Sequence, residues 1–347
     1  MILRKLLPIL FWSLGAVLFA QIPHAAGSSS SSSSAVGSGA GVVDAQSSMD
    51  EPALVFPEVW AFLRTGDESL VPADHPVTDW AYFSARISSK GALAGLPSTM
   101  KLGGLPGRKH LVVAEVTNQA LNHFILNPAY PLRDRLVADI ASASMSYDGV
   151  VIDFELLLPE DGPNLLLFLA LLKKSIGTRL LTVCVPARTG PGQSAYLYQE
   201  IAALADRVFV MAYDEHWSGS GPGPVASLAW TRRVGAFALR NIPADRLIMG
   251  MPFYGRAWGE RNPAGAYRFS SVQRVLGETG VQIDRDAEGL PLFRFQESIS
   301  FTMHFDDVHS IRLRLRDFQD GGIKNIGFWS FGLEDPRVWS LFKPVQP

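Results

Sequence analysis

The sequence predicts an α/β fold: a (β/α)8 TIM barrel of roughly 290 residues with a small α+β insertion between strands 7 and 8. Three observations carry this. Eight short apolar runs follow one another from residue 57 onward, many of them continuous in Val, Ile and Leu, as parallel strands covered on both faces are. Stretches with apolar spacing of three and four fall between several of them. An open doubly wound sheet, the competing architecture, calls for a Gly-rich phosphate loop after its first strand, and none follows the first run.

The expected strands are Val59–Leu63, Trp80–Ser84, His110–Val116, Val150–Glu155, Leu180–Pro186, Arg207–Tyr213, Leu247–Pro252 and Ile326–Phe331. The expected helices are Leu132–Ser144, Asn164–Ser175, Val225–Leu239 and Val308–Phe318. The second of these enters through the turn Pro159-Glu-Asp-Gly-Pro163 and ends at Gly177. Residues 257–305 are too many for one connecting helix. A helix-like piece (Ser271–Gly280) and alternating segments at Val281–Arg285, Leu292–Gln296 and Ser298–Phe305 make this an α+β insertion on the C-terminal rim.

Residues 53–347 are thus the expected catalytic barrel. Ahead of it, residues 1–26 read as a signal peptide or N-terminal anchor. Arg4 and Lys5 form a positive start, and Leu6–Ala20 is an apolar stretch short for a membrane span. Cleavage after Ala20 or near Ala25–Ala26 fits this reading; an uncleaved anchor is the alternative. Residues 27–52, with an unbroken serine run from Ser28 to Ser34, read as a disordered linker. The chain is therefore expected to be exported, periplasmic, envelope-bound or secreted, with membrane contact only through an uncleaved N-terminal segment.

Formal net charge of −2 with no Lys/Arg block argues against a nucleic-acid partner. A monomer is expected. Cys184 is the single cysteine, so no intrachain disulfide forms, and its apolar run makes it an expected inert core thiol. His24, His75, His110, His123, His216, His304 and His309 show no metal-ligand spacing, and no Gly-x-Ser-x-Gly elbow occurs. Neither metal nor organic cofactor is expected.

The chemistry concentrates in Tyr147-Asp-Gly-Val-Val-Ile-Asp-Phe-Glu155. In a strand, Gly149, Val151, Asp153 and Glu155 share one face, and Val150, Ile152 and Phe154 the other. Two close, buried carboxylates repel, and one tends to hold a proton at neutral pH, which is a general-acid arrangement. The bland alternative is a pair of turn acids. In a barrel the ends of several strands meet on one rim. There Glu155 would join Tyr213 and Asp214 from the sixth strand, Tyr254 and Arg256 after the seventh, and Trp329 from the eighth.

These residues carry a family resemblance. Asp148-Gly-Val-Val-Ile-Asp-Phe-Glu155 resembles the Asp-Gly-x-Asp-x-Asp-x-Glu signature of glycoside hydrolase family 18, which contains chitinases and endo-β-N-acetylglucosaminidases. Met211-Ala-Tyr-Asp214, Gly250-Met-Pro-Phe-Tyr-Gly-Arg256 and Gly327-Phe-Trp329 resemble its sixth-, seventh- and eighth-strand motifs, in order. The stretch from Tyr213-Asp-Glu-His-Trp217 to Pro222-Gly-Pro-Val-Ala-Ser227 is most similar to the spore-cortex-lytic and spore-germination-like branch. The resemblance covers roughly 56–339. Val151 stands at the usual middle Asp, Phe154 replaces a Trp, the third strand ends Glu115-Val-Thr-Asn118 without the usual Ser-x-Gly-Gly, and LysM repeats are absent.

The resemblance implies substrate-assisted retaining hydrolysis of N-acetylglucosamine glycans. Glu155 would protonate the glycosidic oxygen and later act as base. Asp153 would hold the acetamide N–H and Tyr213 its carbonyl. Asp214 would contact a sugar hydroxyl or the acetamide, or cap a loop. Trp329 would floor the distorted sugar or serve as core. Tyr254, Trp217 and Trp258 would line subsites or pack the rim. Arg256 would bind substrate or tie down the Asp214 loop. Asp148 is expected to cap the strand, and Gly149 to permit close packing. The partner would be an N-acetylglucosamine-containing polysaccharide or oligosaccharide, of the peptidoglycan or chitin type. A lectin-like barrel without turnover and an endoglycosidase acting on N-glycans are the competing readings.

Val151 removes the carboxyl that would share a proton with Asp153, leaving Glu155 as its expected coupling partner. The expected consequence is a narrower or more acidic pH optimum than in middle-Asp relatives. The pH–rate profile of Val151→Asp should broaden relative to wild type; superimposable profiles would refute the idea.

Overall fold

The computed structural model describes residues 52–72, 74–259, 265–296 and 300–342. The expected targeting segment, and all but the last residue of the expected linker, lie outside the described residues. Eight parallel strands form the barrel: β1 (Glu58–Arg64), β2 (Asp79–Ile87), β3 (Arg108–Glu115), β4 (Gly149–Phe154), β5 (Leu180–Pro186), β6 (Arg207–Met211), β7 (Leu247–Pro252) and β8 (Asn325–Trp329). Each pairs with the next in chain order, and β1 pairs with both β2 and β8, so the ring closes without a free edge. The eight apolar runs are these strands, with ends displaced by a few residues. β4, β6 and β8 stop earlier than expected, which places Glu155, Tyr213 and Asp214 in the turns beyond them.

Helices α1 (Gln119–Leu126) and α2 (Leu132–Ala143) lie between β3 and β4, α3 (Gly162–Ile176) follows β4, α4 (Tyr198–Leu204) follows β5, and α5 (Leu228–Asn241) follows β6. α1 and α4 have eight and seven residues, too short for apolar spacing to reveal them. Gly177, with φ of +65°, terminates α3 in a conformation that L side chains disfavour. Among the described residues, no α-helix connects β1 to β2 or β2 to β3; the first connection carries the 3-10 turn Glu68–Leu70, and the second the 3-10 turn Thr99–Leu102 and a two-residue strand, Leu93–Ala94, antiparallel to β2.

Between β7 and β8 lie α6 (Phe269–Thr279), α7 (Val308–Asp320) and an antiparallel five-stranded sheet of Tyr254–Gly259, Gly265–Arg268, Asp284–Arg285, Pro291–Gln296 and Ser300–His304. The insertion starts earlier than the expected 257, because Tyr254 opens its first strand. The expected strand at 281–285 shrinks to two residues. Phe269, Val272, Phe293, Met303 and Phe305 give the insertion its own apolar core. It is pinned to the barrel. The Glu288 carboxylate accepts from the Leu228 and Ala229 N–H groups at the start of α5 (2.8 and 3.1 Å), satisfying orphan donors at a positive helix end.

The N-terminal mouth of the barrel is plugged by ions. Glu58 accepts from Arg207 (2.6 Å) and Arg108 (2.7 Å), and Asp79 accepts from Arg108 and meets His110 Nε2, both at 2.7 Å. Trp60 stacks on His110 at 4.4 Å and donates its indole N–H to Glu58 (2.9 Å). Buried carboxylates are tolerable here because each is met by cationic donors, and burial of Glu58 and Asp79 is outweighed so that both stay below the usual carboxylate range. Gly149 opens β4 against this plug, where a Cβ would overlap His110 Nδ1 and Leu180 O. Gly149→Ala should therefore cost about 3 kcal/mol or more by denaturant unfolding; a cost under about 1 kcal/mol would show that the plug can shift.

Candidate active site

At the other end of β4 the alternation delivers chemistry to the barrel interior. Phe154 faces outward, its ring 5.5 Å from Phe168 of α3. Asp153 faces inward at 5 % exposure. Glu155, half-buried, follows the last strand residue, and its N–H donates to Glu115 O at 2.9 Å. Both carboxyl groups are pushed well above the ordinary range. For Asp153 the cause is desolvation; for Glu155 it is desolvation and then the negative charges of Asp153 and Asp214. The pair thus holds a proton near neutral pH, as a general acid requires.

Asp153 also has a neighbour that sequence reasoning missed. The Cys184 thiol of β5 lies beside its carboxylate and is the one influence drawing Asp153 downward. Cys184 is buried, and desolvation raises its thiol well above the usual value, so it is no nucleophile. It is the expected inert core thiol, placed next to Asp153. The signal was present, since Cys184 and Asp153 lie on adjacent strands two residues beyond Thr182 and Val151, which pair in register. Asp153 Oδ1 and Thr182 Oγ1 are buried without a hydrogen-bond partner.

Tyr213 lies two residues past β6. It is buried among these groups, and desolvation keeps its hydroxyl protonated far above neutral pH. Asp214 next to it has a φ of +61°, held by Tyr254 OH (2.7 Å) and by Arg256 Nε and Nη2 (3.0 and 2.7 Å), all on Oδ1. Arg256 therefore ties down the Asp214 loop. Tyr254, 3 % exposed, supports Asp214 rather than presenting an open sugar platform. Trp258 is similarly buried at 6 %, its indole N–H donating to Ser220 O at 3.1 Å, the rim-packing alternative of the two. Trp329 is half-buried, with the ring centroids of Phe62 and Phe83 each 5.2 Å from its own in edge-to-face contact. Trp217 is half-buried, its N–H bound to Ser220 Oγ at 3.0 Å. Asp148 sits at the opposite end of β4, where its carboxylate accepts from Lys109 N–H at 2.7 Å.

A carboxyl whose folded pKa lies above its unfolded one binds more protons in the native state, so its contribution to stability is lost as pH rises through the folded value. Glu155→Gln removes that loss. Its melting temperature should exceed the wild type's by several degrees at pH 8, about 1–3 kcal/mol, and the gap should close below about pH 4. A variant no more stable than wild type at pH 8 would mean that Glu155 is not strained.

Comparison with known proteins agrees with this arrangement. The family Glycosyl hydrolases family 18 matches residues 129–334. The chain is 31% identical over 245 residues to a Bacillus subtilis protein provisionally assigned as the sporulation-specific glycosylase YdhD, spanning 66% of this chain and 57% of that protein. It is 25% identical over 303 residues to the cortical fragment-lytic enzyme of Bacillus anthracis, spanning 79% and 70%. The solved spore cortex-lytic enzyme SleL of Bacillus cereus shares the fold, with a TM-score of 0.73 at 22% identity over 82% of this chain and 73% of that one. Carboxyls at the end of β4, a tyrosine after β6, a tryptophan in β8 and the match over 129–334 together place the chain in glycoside hydrolase family 18.

Proposed function

We propose that this protein is an exported glycoside hydrolase that cleaves β-linked N-acetylglucosamine glycans, peptidoglycan foremost, by substrate-assisted retaining catalysis. The observation that carries the reading is the desolvated pair Asp153 and Glu155 at the end of β4, beside Tyr213. Glu155, protonated at neutral pH, donates to the glycosidic oxygen. The acetamide carbonyl of the sugar, oriented by the Tyr213 hydroxyl, attacks its own anomeric carbon. Asp153 accepts the acetamide N–H and stabilises the oxazolinium charge. Glu155, now ionised, takes a proton from the incoming water, which opens the ring with retention. The Trp329 floor favours the apolar face of a distorted sugar.

Peptidoglycan is favoured over chitin by the cortical fragment-lytic relatives. Export rests on Arg4, Lys5 and the apolar Leu6–Ala20. The decisive experiment is turnover of purified peptidoglycan and of chitooligosaccharides by wild type and Glu155→Gln, with products read by mass spectrometry. New reducing-end N-acetylglucosamine products, reduced at least a hundredfold in the variant, are expected. Binding without turnover by the wild type would favour the lectin-like reading, and neither binding nor turnover would direct attention to N-glycans.

A further inference from the structure

Immediately after the proposed acid the chain turns sharply. Leu156 has a φ of +60°, a left-handed conformation that residues with a Cβ rarely adopt and that persists only where the surroundings impose it. The imposition is visible. Three consecutive carbonyls each receive a side-chain donor: Phe154 O from Tyr196 OH at 2.8 Å, Glu155 O from Asn122 Nδ2 at 2.7 Å, and Leu156 O from Gln119 Nε2 at 3.0 Å.

Asn122 is central to this arrangement. It is fully buried on α1, and the same amide nitrogen donates to Glu115 O at 3.2 Å, the carbonyl that also accepts from Glu155 N–H. One amide thus joins the C-terminal ends of β3 and β4 with both of its hydrogens. Its Oδ1 has no hydrogen-bond partner. A residue chosen for core packing alone would not keep an unpartnered buried acceptor, so the donors are what the position requires. Neither Asp nor Leu supplies them.

We propose that Asn122 is a positioning residue for Glu155. With Tyr196 and Gln119 it holds the left-handed turn at Leu156, and that turn sets the angle at which the Glu155 carboxyl enters the cleft. The inference rests on Glu155 being the acid. A glutamate has three side-chain torsions, and fixing its backbone removes much of the freedom that would let the carboxyl swing out to water.

The test uses the purified full chain with Asn122→Asp, Asn122→Leu, Tyr196→Phe and Gln119→Ala. Rates are measured on purified peptidoglycan and on the N-acetylglucosamine pentamer, and the Glu155 carboxyl is titrated by 13C NMR. For Asn122→Leu, which removes the donors without adding a charge, kcat should fall about 10–100-fold with KM within about twofold. The basic limb of the pH–rate profile and the NMR titration should both move to lower pH as the carboxyl gains water. A titration that stays in place, with kcat falling only as the folded fraction falls, would overturn the proposal. If the Asn122 variants do not fold, the exposed Gln119 and the Tyr196 hydroxyl remain testable, with a smaller shift in the same direction expected and no shift contradicting it. Full turnover by Glu155→Gln would instead remove the acid reading, while the titration, which follows the surroundings of the carboxyl and not the rate, would still judge the clamp.

Discussion

Desolvation of two carboxyl groups at the end of one strand is the constraint around which the rest is arranged. Taking an ionised carboxylate out of water costs several kcal/mol unless it is paired, and among the described residues no cation offsets the burial of Asp153 or Glu155. The two groups respond by rising in pKa and holding a proton. The surrounding structure keeps them there: Cys184 beside Asp153, Tyr213 buried alongside, and a turn stapled by side chains beyond Glu155.

The two ends of the barrel handle charge in opposite ways. At the N-terminal end, Glu58 and Asp79 meet Arg108, Arg207 and His110, and the carboxylates settle low. At the C-terminal end, Arg256 is engaged by Asp214, and the carboxyl pair is left high. The first arrangement favours stability and the second stores strain usable in chemistry, which matches the division of labour between the two faces of such barrels.

The insertion takes part in this arrangement rather than decorating it. Its first strand supplies Tyr254 and Arg256 to Asp214, and Glu288 caps α5 beneath the loop that carries Asp214 and Trp217. The residues that hold the rim are thus split between barrel and insertion, and their hydrogen bonds join segments some 40 residues apart or more.

Much of this was legible in the order of residues. Period-two alternation placed Asp153 inward and Phe154 outward, continuous Val/Ile/Leu runs marked the eight strands, and four motifs in sequence located the rim. These follow from local rules, since side-chain direction in a strand and burial on both faces depend only on near neighbours. What tertiary structure alone decided was which side chains are occupied by partners. Tyr254 and Trp258 read equally as subsite walls or rim packing and are buried; Cys184 read as an inert core thiol and lies beside Asp153; Asn122, on a helix too short to announce itself, reaches two carbonyls at the ends of different strands. Long-range hydrogen bonds and desolvation are properties of the closed barrel, and no local pattern encodes them.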